Sequence, residues 1–250
     1  MKAMILAAGL GTRLRPLTDD RPKALVEVGG RTMLEIVLER LRAFGVREAI
    51  VNAHNFADRV IDYLRAHENF GMRIEVSRED ELLDTGGGLK KAAHFFLEGG
   101  SQEPFLVHNV DVLSTIDLPR MMRFHEAEGA LATLAVQDRA TSRYLLFDEK
   151  GELCGRQSGR GGERELVRPA AEPRPLAFAG IHVISPRLLG LLSEEGAFSI
   201  IAAYLRLAAR GEKVAGFRAD EYDWRDLGRP ENVREAEREM AAGRYSEPGF

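Results

Sequence analysis

The stretch ILAAGLGTRLRPLTDDRPKAL, residues 5–25, decides how this chain is read. An apolar run enters a turn at Gly9 and Gly11, and Arg13, Arg15 and an Arg21-Pro22-Lys23 triplet follow. Glycines in a turn after a first strand let backbone N–H groups approach phosphate oxygens. Two familiar loop designs do not fit. The dinucleotide fingerprint G-x-G-x-x-G needs a small third residue and an immediate helix, whereas GLGTRL places Leu14 there and Pro16 interrupts. A Walker A loop, G-x-x-x-x-G-K-[ST], does not match GLGTRLRP. Two readings stay open on the residues alone. One is a phosphate loop carrying its own cations, with Arg13 forking onto oxygens and Lys23 folded back past the proline bend as a point charge. The other is a solvated loop with ordinary surface charge.

Outward from this loop, apolar runs alternate with helical patterns. Residues 2–8 read as a buried strand. Residues 32–45 read as a helix, with Thr32 and Glu35 spaced as a capping box, an apolar stripe through Met33, Leu34, Val37, Leu38 and Leu41, and Gly45 as the stop. EAIVNA, ADRVIDYLRAH and RIEVS continue as strand, helix and strand. LLDTGGG reads as a loop before a helix over 89–97, and PFLVHN as the next strand. Strand–helix alternation implies right-handed crossovers and a mainly parallel sheet covered on both faces.

Past Ala130, ALATLAV and RYLLF follow each other without room for a crossover helix, which predicts antiparallel additions. Residues 151–175, rich in Gly, Arg, Glu and Pro, read as a mobile hairpin or loop. LAFAGIHVI returns to a buried strand, PRLLGLLS and SIIAAYLRLAARG are helical, KVAGFRA is a strand, and PENVREAEREMAAG is a final helix with Pro230 in its first turn. The expectation is one Rossmann-like, three-layer α/β/α domain over residues 1–243, with a mixed, mostly parallel sheet and a frayed tail over 244–250.

The 250 residues are 44% hydrophobic and 30% charged with a formal net charge of −4, which fits a soluble globular chain and argues against a general nucleic-acid or acidic-membrane binder. A single cysteine, Cys154, excludes an internal disulfide and a thiolate metal cluster. No apolar run is long enough to span a bilayer, and Arg13 and Arg15 stand where a signal peptide would be cleaved, so a cytoplasmic protein is expected.

LAAGLGTRLRPLT…RPKAL resembles the signature of sugar-1-phosphate nucleotidyltransferases, and the resemblance extends through DTGGG, HNVDV, FAGIHV and WRDLG, over most of the chain. The similarity is greatest to the short N-acetylmuramate 1-phosphate uridylyltransferase group, by length and by TGGG. It implies the nucleotide-diphospho-sugar transferase type of fold and transfer of a nucleotidyl group from an NTP to a sugar 1-phosphate with release of pyrophosphate. It also implies residue roles. Arg13, Lys23 and Asp111 are the catalytic set. Leu6, Ala7, Ala8, Gly9, Gly11, Thr12, Arg13 and Lys23 line the nucleotide, with Thr85, Gly86 and Gly87 reading the base. Asn109, Gly180 and Trp224 contact the sugar, and Asp111 with Asp226 hold Mg²⁺.

Several of these residues have plainer readings. Acidic residues at strand ends are often turn formers, DTGGG alone equals a flexible loop, and a lone tryptophan is more often core. Asn109-Val110-Asp111 departs from the Asn-Gly-Asp of many relatives, and valine resists the positive φ that glycine permits. Glu172 is a loosely aligned sugar contact. Arg139 and Arg143 stand singly, reaching either substrate phosphate or solvent. His54 and His108 are isolated, against a zinc site.

UTP is the expected nucleotide and an amino-sugar 1-phosphate the expected acceptor, the chain being a monomer or homodimer. The alternatives are a guanylyltransferase for mannose or heptose 1-phosphate and a non-catalytic nucleotide or NDP-sugar sensor. A metal-dependent glycosyltransferase would want Asp-x-Asp where Asn109-Val110-Asp111 stands.

Overall fold

The computed structural model describes residues 1–245. Ten strands form the main sheet: β1 (Lys2–Leu6), β4 (Glu48–Ala53), β5 (Arg73–Arg78), β6 (Phe105–Asn109), β8 (Ala132–Gln137), β9 (Arg143–Phe147), β10 (Leu153–Ser158), β11 (Arg164–Leu166), β12 (Arg174–Ile184) and β13 (Val214–Arg218). Two short ribbons pair β2 (Glu27–Val28) with β3 (Arg31–Thr32), and β7 (Val112–Ser114) with β14 (Trp224–Asp226). The helices are α1 (Met33–Ala43), α2 (Ala57–Ala66), α3 (Asp84–Lys91), α4 (Ala93–Leu97), α5 (Leu118–Glu128), α6 (Ile200–Ala209) and α7 (Pro230–Ala241). None of the described helices is long and apolar enough to cross a membrane.

The main path through the sheet is β11-β10-β9-β12-β6-β1-β4-β5, with β8 against β12 and β13 against β8. β1 is parallel to both β4 and β6, β4 to β5, and β13 to β8. Among the described strands of this sheet, β10 and β12 alone run against the rest. The mixed, mostly parallel sheet is therefore as the sequence predicts.

Alternation along β1 explains why the strand reads as one apolar run. Ala3 and Ile5 enter a core with α1, α2, α5 and α7, while Met4 and Leu6 enter a second core with α3, α4 and α6. Successive side chains point to opposite faces, and both faces are covered. Thr32 caps α1 as its spacing predicts, its Oγ1 accepting from the Glu35 N–H at 3.1 Å.

Some expectations change and some are met. DTGGG is the first part of α3 rather than a loop, and the helix expected over 89–97 breaks at Ala92. β8 and β9 do gain antiparallel partners, but that partner is β12, which takes one on each flank rather than letting them pair together. Of the hairpin or loop expected over 151–175, the hairpin is present as β10–β11. At the end of the described chain, Tyr245 is 7% exposed and packed in the first core; residues 246–250 of the expected tail lie outside the described residues.

Candidate active site

β1 and β6 are adjacent and parallel, so both deliver their following loops to the same edge of the sheet. The loop after β1 is tied down at its root. Leu6 O accepts from Val110 N at 3.1 Å, and Ala7 N donates to Asn52 Oδ1 at 2.7 Å. Leu6 and Ala7 thus serve to anchor the loop. Among the described residues the amides of Ala8 to Gly11 have no protein partner, and they are the part free to meet an anion. Gly11 has φ +65, and a Cβ there would stand 2.9 Å from Thr18 Cγ2, while Thr18 Oγ1 donates to Gly11 O at 2.8 Å. A left-handed, crowded position of this kind accepts glycine at least cost. Thr12 and Arg13 follow in a single exposed 3₁₀ turn.

Lys23 folds back over this loop, as the proline bend predicts. Its Nζ lies 2.8 Å from Asp111 Oδ2, and a Cβ on Gly9 would stand 3.6 Å from the same Nζ. Asp111 follows β6 and is 9% exposed. Asp226 reaches it through the β7–β14 ribbon, where Asp226 pairs with Val112 and Leu227 N donates to Asp111 O at 2.7 Å. Gly228 occupies the space among them. A Cβ there would lie 2.7 Å from Asp226 Oδ1, 3.0 Å from Arg13 Nη2 and 3.5 Å from Asp111 Oδ2. Arg13, Lys23, Asp111 and Asp226, drawn from four separate segments, therefore converge.

Two carboxylates brought to the same space beside Gly228 offer hard oxygen ligands. No group of three or more His, Cys, Asp or Glu suited to a metal occurs among the described residues. That donor set fits Mg²⁺, which takes one or two carboxylates and fills its shell with water and substrate phosphate. It does not fit a structural zinc site.

Asn109, Gly180 and Trp224, expected at the sugar, are also contiguous. Gly180 has φ +75, and a Cβ on it would lie 2.7 Å from Asn109 Nδ2. It sits where β12 bulges between Phe178 and His182. Trp224 Nε1 donates to Ala179 O at 2.7 Å, so the indole is pinned to the same bulge. Arg139, two residues past β8, stacks over the Trp224 ring at 3.5 Å and donates from Nη2 to Phe178 O at 2.8 Å. Arg143 and Glu172 are exposed, the amide of Glu172 donating to Glu149.

Val110 keeps an ordinary negative φ, and its side chain is 1% exposed in the first core. Valine therefore fits here without the strain that a left-handed glycine position would impose.

Thr85, Gly86 and Gly87 lie at the start of α3. Gly86 N and Gly87 N both donate to Phe198 O, at 2.8 and 3.3 Å, and Thr85 Oγ1 accepts from Ile200 N at 3.0 Å. A Cβ on Gly86 would stand 2.3 Å from the Phe198 ring. The glycines thus let α3 press against the segment leading into α6.

Sequence reasoning missed Asn52 and Glu79. Asn52, 2% exposed, donates from Nδ2 to Glu79 Oε1 at 2.7 Å, and Glu79 Oε2 accepts from Leu83 N at 3.0 Å. This chain of bonds ties the loop after β1, at Ala7, to the start of α3. A polar residue inside the apolar β4 run was the available signal. His108 lies under the site, its Nδ1 2.8 Å from Asn109 O, and burial, aided by nearby Arg40, pushes its pKa down to about 4.

Known proteins resemble this chain over nearly its whole length. The nucleotidyl transferase family model matches residues 2–243. An N-acetylmuramate alpha-1-phosphate uridylyltransferase of Caulobacter vibrioides is 38% identical, over 96% of each chain. A mannose-1-phosphate guanyltransferase of Yarrowia lipolytica is 31% identical over 93% of this chain, which spans 62% of that longer protein. Among solved structures, a UDP-glucose pyrophosphorylase complexed with UDP-glucose superposes with a TM-score of 0.77 at 20% identity, covering 97% of this chain and 99% of that one. HddC from Yersinia pseudotuberculosis superposes with a TM-score of 0.75 at 21% identity, covering 96% and 99%.

Proposed function

The chain belongs to the nucleotidyl transferase family, as a sugar-1-phosphate nucleotidyltransferase, and from that premise we propose that it transfers uridylyl from UTP to an amino-sugar 1-phosphate in a Mg²⁺-dependent reaction. The observation that carries the proposal is the convergence of Arg13, Lys23, Asp111 and Asp226 around Gly228. The preference for UTP and for an N-acetylmuramate-like acceptor rests on the 38% identical relative. Guanylyl transfer to a mannose or heptose 1-phosphate is the alternative, supported by the 31% identical guanyltransferase.

In this reading an oxygen of the sugar phosphate attacks the α-phosphorus of the NTP. A new P–O–P linkage forms as the bond to the β-phosphate oxygen breaks, and pyrophosphate carries away the negative charge. No covalent enzyme intermediate is needed, because positioning and charge neutralisation suffice. The free amides of Ala8 to Gly11 receive phosphate oxygens, and Thr12 closes the turn. Lys23, which neutralises Asp111 in the ligand-free protein, turns to the β- and γ-phosphates, and Arg13 joins it there. Asp111 and Asp226 would hold Mg²⁺, which when bound supplies Lewis-acid stabilisation of the reacting phosphoryl group. Asn109, the Gly180 backbone and Trp224 orient the sugar, and the first turn of α3 at Thr85–Gly87 borders the base.

The test is pyrophosphate release with Mg²⁺, each common NTP and a panel of sugar 1-phosphates. Release that requires UTP together with an amino-sugar 1-phosphate is expected. Release only with GTP and a mannose or heptose phosphate would favour the alternative. Nucleotide binding without release from any pair would overturn catalysis in favour of a sensor.

A further inference from the structure

Arg139 differs from the other half-buried arginines. Arg31, Arg168, Arg206 and Arg225 each lie within 4 Å of a carboxylate, whereas no carboxylate among the described residues lies that close to Arg139. Its Nε is buried without a hydrogen-bond partner. Burial pulls its pKa below the ordinary arginine value, partly offset by the charge of Asp226, yet a guanidinium stays protonated. The group is held in one place by the Trp224 ring on its face and Phe178 O on its edge. A partly desolvated, fixed cation with no carboxylate in ion-pair contact is suited to a ligand anion.

Its position says which part of the substrate it faces. Trp224 precedes Asp226 by two residues on β14, and Phe178 precedes Gly180 by two on β12, so Arg139 borders the sugar side. The NTP phosphates are already met by Arg13, Lys23 and the Ala8–Gly11 amides. We infer that Arg139 is a specificity-determining residue that recognises a carboxylate carried on the acceptor sugar, so that the preferred acceptor is an acidic sugar 1-phosphate. This deepens the function proposed above and rests on it. The name of the 38% identical relative is that of an enzyme for such an acid.

The test compares N-acetylmuramate 1-phosphate, which bears a carboxylate, with N-acetylglucosamine 1-phosphate, which lacks it, in pyrophosphate release from wild type, Arg139→Gln and Arg139→Lys. Wild type is expected to favour the acidic sugar. Arg139→Gln should lower kcat/KM for that sugar by roughly 10- to 100-fold, chiefly through KM, the size of one charge-assisted hydrogen bond. Turnover of the neutral sugar should fall by a clearly smaller factor, since it lacks the carboxylate while sharing the Trp224 and Phe178 surroundings that Arg139 supports. Arg139→Lys should recover part of the preference through its charge. An equal loss on both sugars would overturn the inference, indicating that Arg139 holds the common phosphate or merely the Phe178 bulge. Equal use of both sugars by wild type would overturn it too, while leaving uridylyl transfer intact. No turnover of any sugar phosphate would reject both the inference and the reading beneath it.

Discussion

A methyl group at Gly228 would sit 2.7 Å from Asp226 Oδ1 and 3.0 Å from Arg13 Nη2, within the space that the charged groups share. Gly228→Ala is therefore expected to lower kcat/KM by roughly 10- to 100-fold through displaced side chains, with little change in melting temperature because the added methyl meets the ends of charged side chains rather than core packing. A variant that unfolds early but turns over normally would refute this. Lys23→Met should raise KM for the NTP and lower kcat, by about 10²-fold or more in kcat/KM, as loss of a phosphate-facing cation does. Steady-state kinetics over a range of NTP concentration checks it. Arg13 and Lys23 stood out in the sequence because their pattern is local, with the resemblance supplying their roles, whereas Gly228 did not. A glycine turn, an arginine within it and a Pro-Lys bend are all visible in the letters. Asn52 and Glu79 were not, since their role is to join Ala7 to Leu83 across the fold, and each looks like an ordinary polar residue in its own segment.

At the scale of elements, α3 shows where sequence reasoning is outweighed. Three successive glycines cost roughly 1 kcal/mol each in a helix relative to alanine, which favours a loop on propensity alone. Tertiary packing wins, because Gly86 and Gly87 allow Phe198 O to accept both amides and the Phe198 ring to lie where a Cβ would be. Gly86→Ala is accordingly expected to destabilise the protein by about 1–3 kcal/mol despite its better helix propensity, as overpacking does. Chemical denaturation measures it, and a stabilised variant would contradict the packing account. The β7–β14 ribbon was likewise hidden, as three-residue strands far apart in sequence carry little periodicity, although it brings Asp226 to Asp111. The main sheet was legible because β1, β4 and β6 are apolar on both faces and alternate with amphipathic helices.

At the scale of the whole molecule, three buried histidines set an acid limit. Burial, aided by Arg40, holds His108 at about 4, burial alone holds His125 at about 4, and burial with His108 nearby holds His182 at about 3, each against 6.5 in the open chain. Below pH 6.5 the unfolded chain takes up protons that the folded one refuses, so stability falls as pH drops from 6.5 toward 4. Each histidine contributes on the order of 1–2 kcal/mol of that loss by pH 5. Melting temperatures at pH 7 and pH 5 should therefore differ by several degrees, and a flat profile would argue against neutral buried imidazoles.

The whole account turns on two carboxylates reached from separate strands, and the most direct measurement is pyrophosphate release as magnesium is varied, in wild type, Asp111→Asn and Asp226→Asn. Each substitution keeps the shape and removes the charge. The account predicts a loss of about 10³-fold or more in kcat for Asp111→Asn and a large loss for Asp226→Asn, each with a raised magnesium requirement, in proteins that melt like wild type. Full magnesium-dependent activity in Asp111→Asn would contradict it.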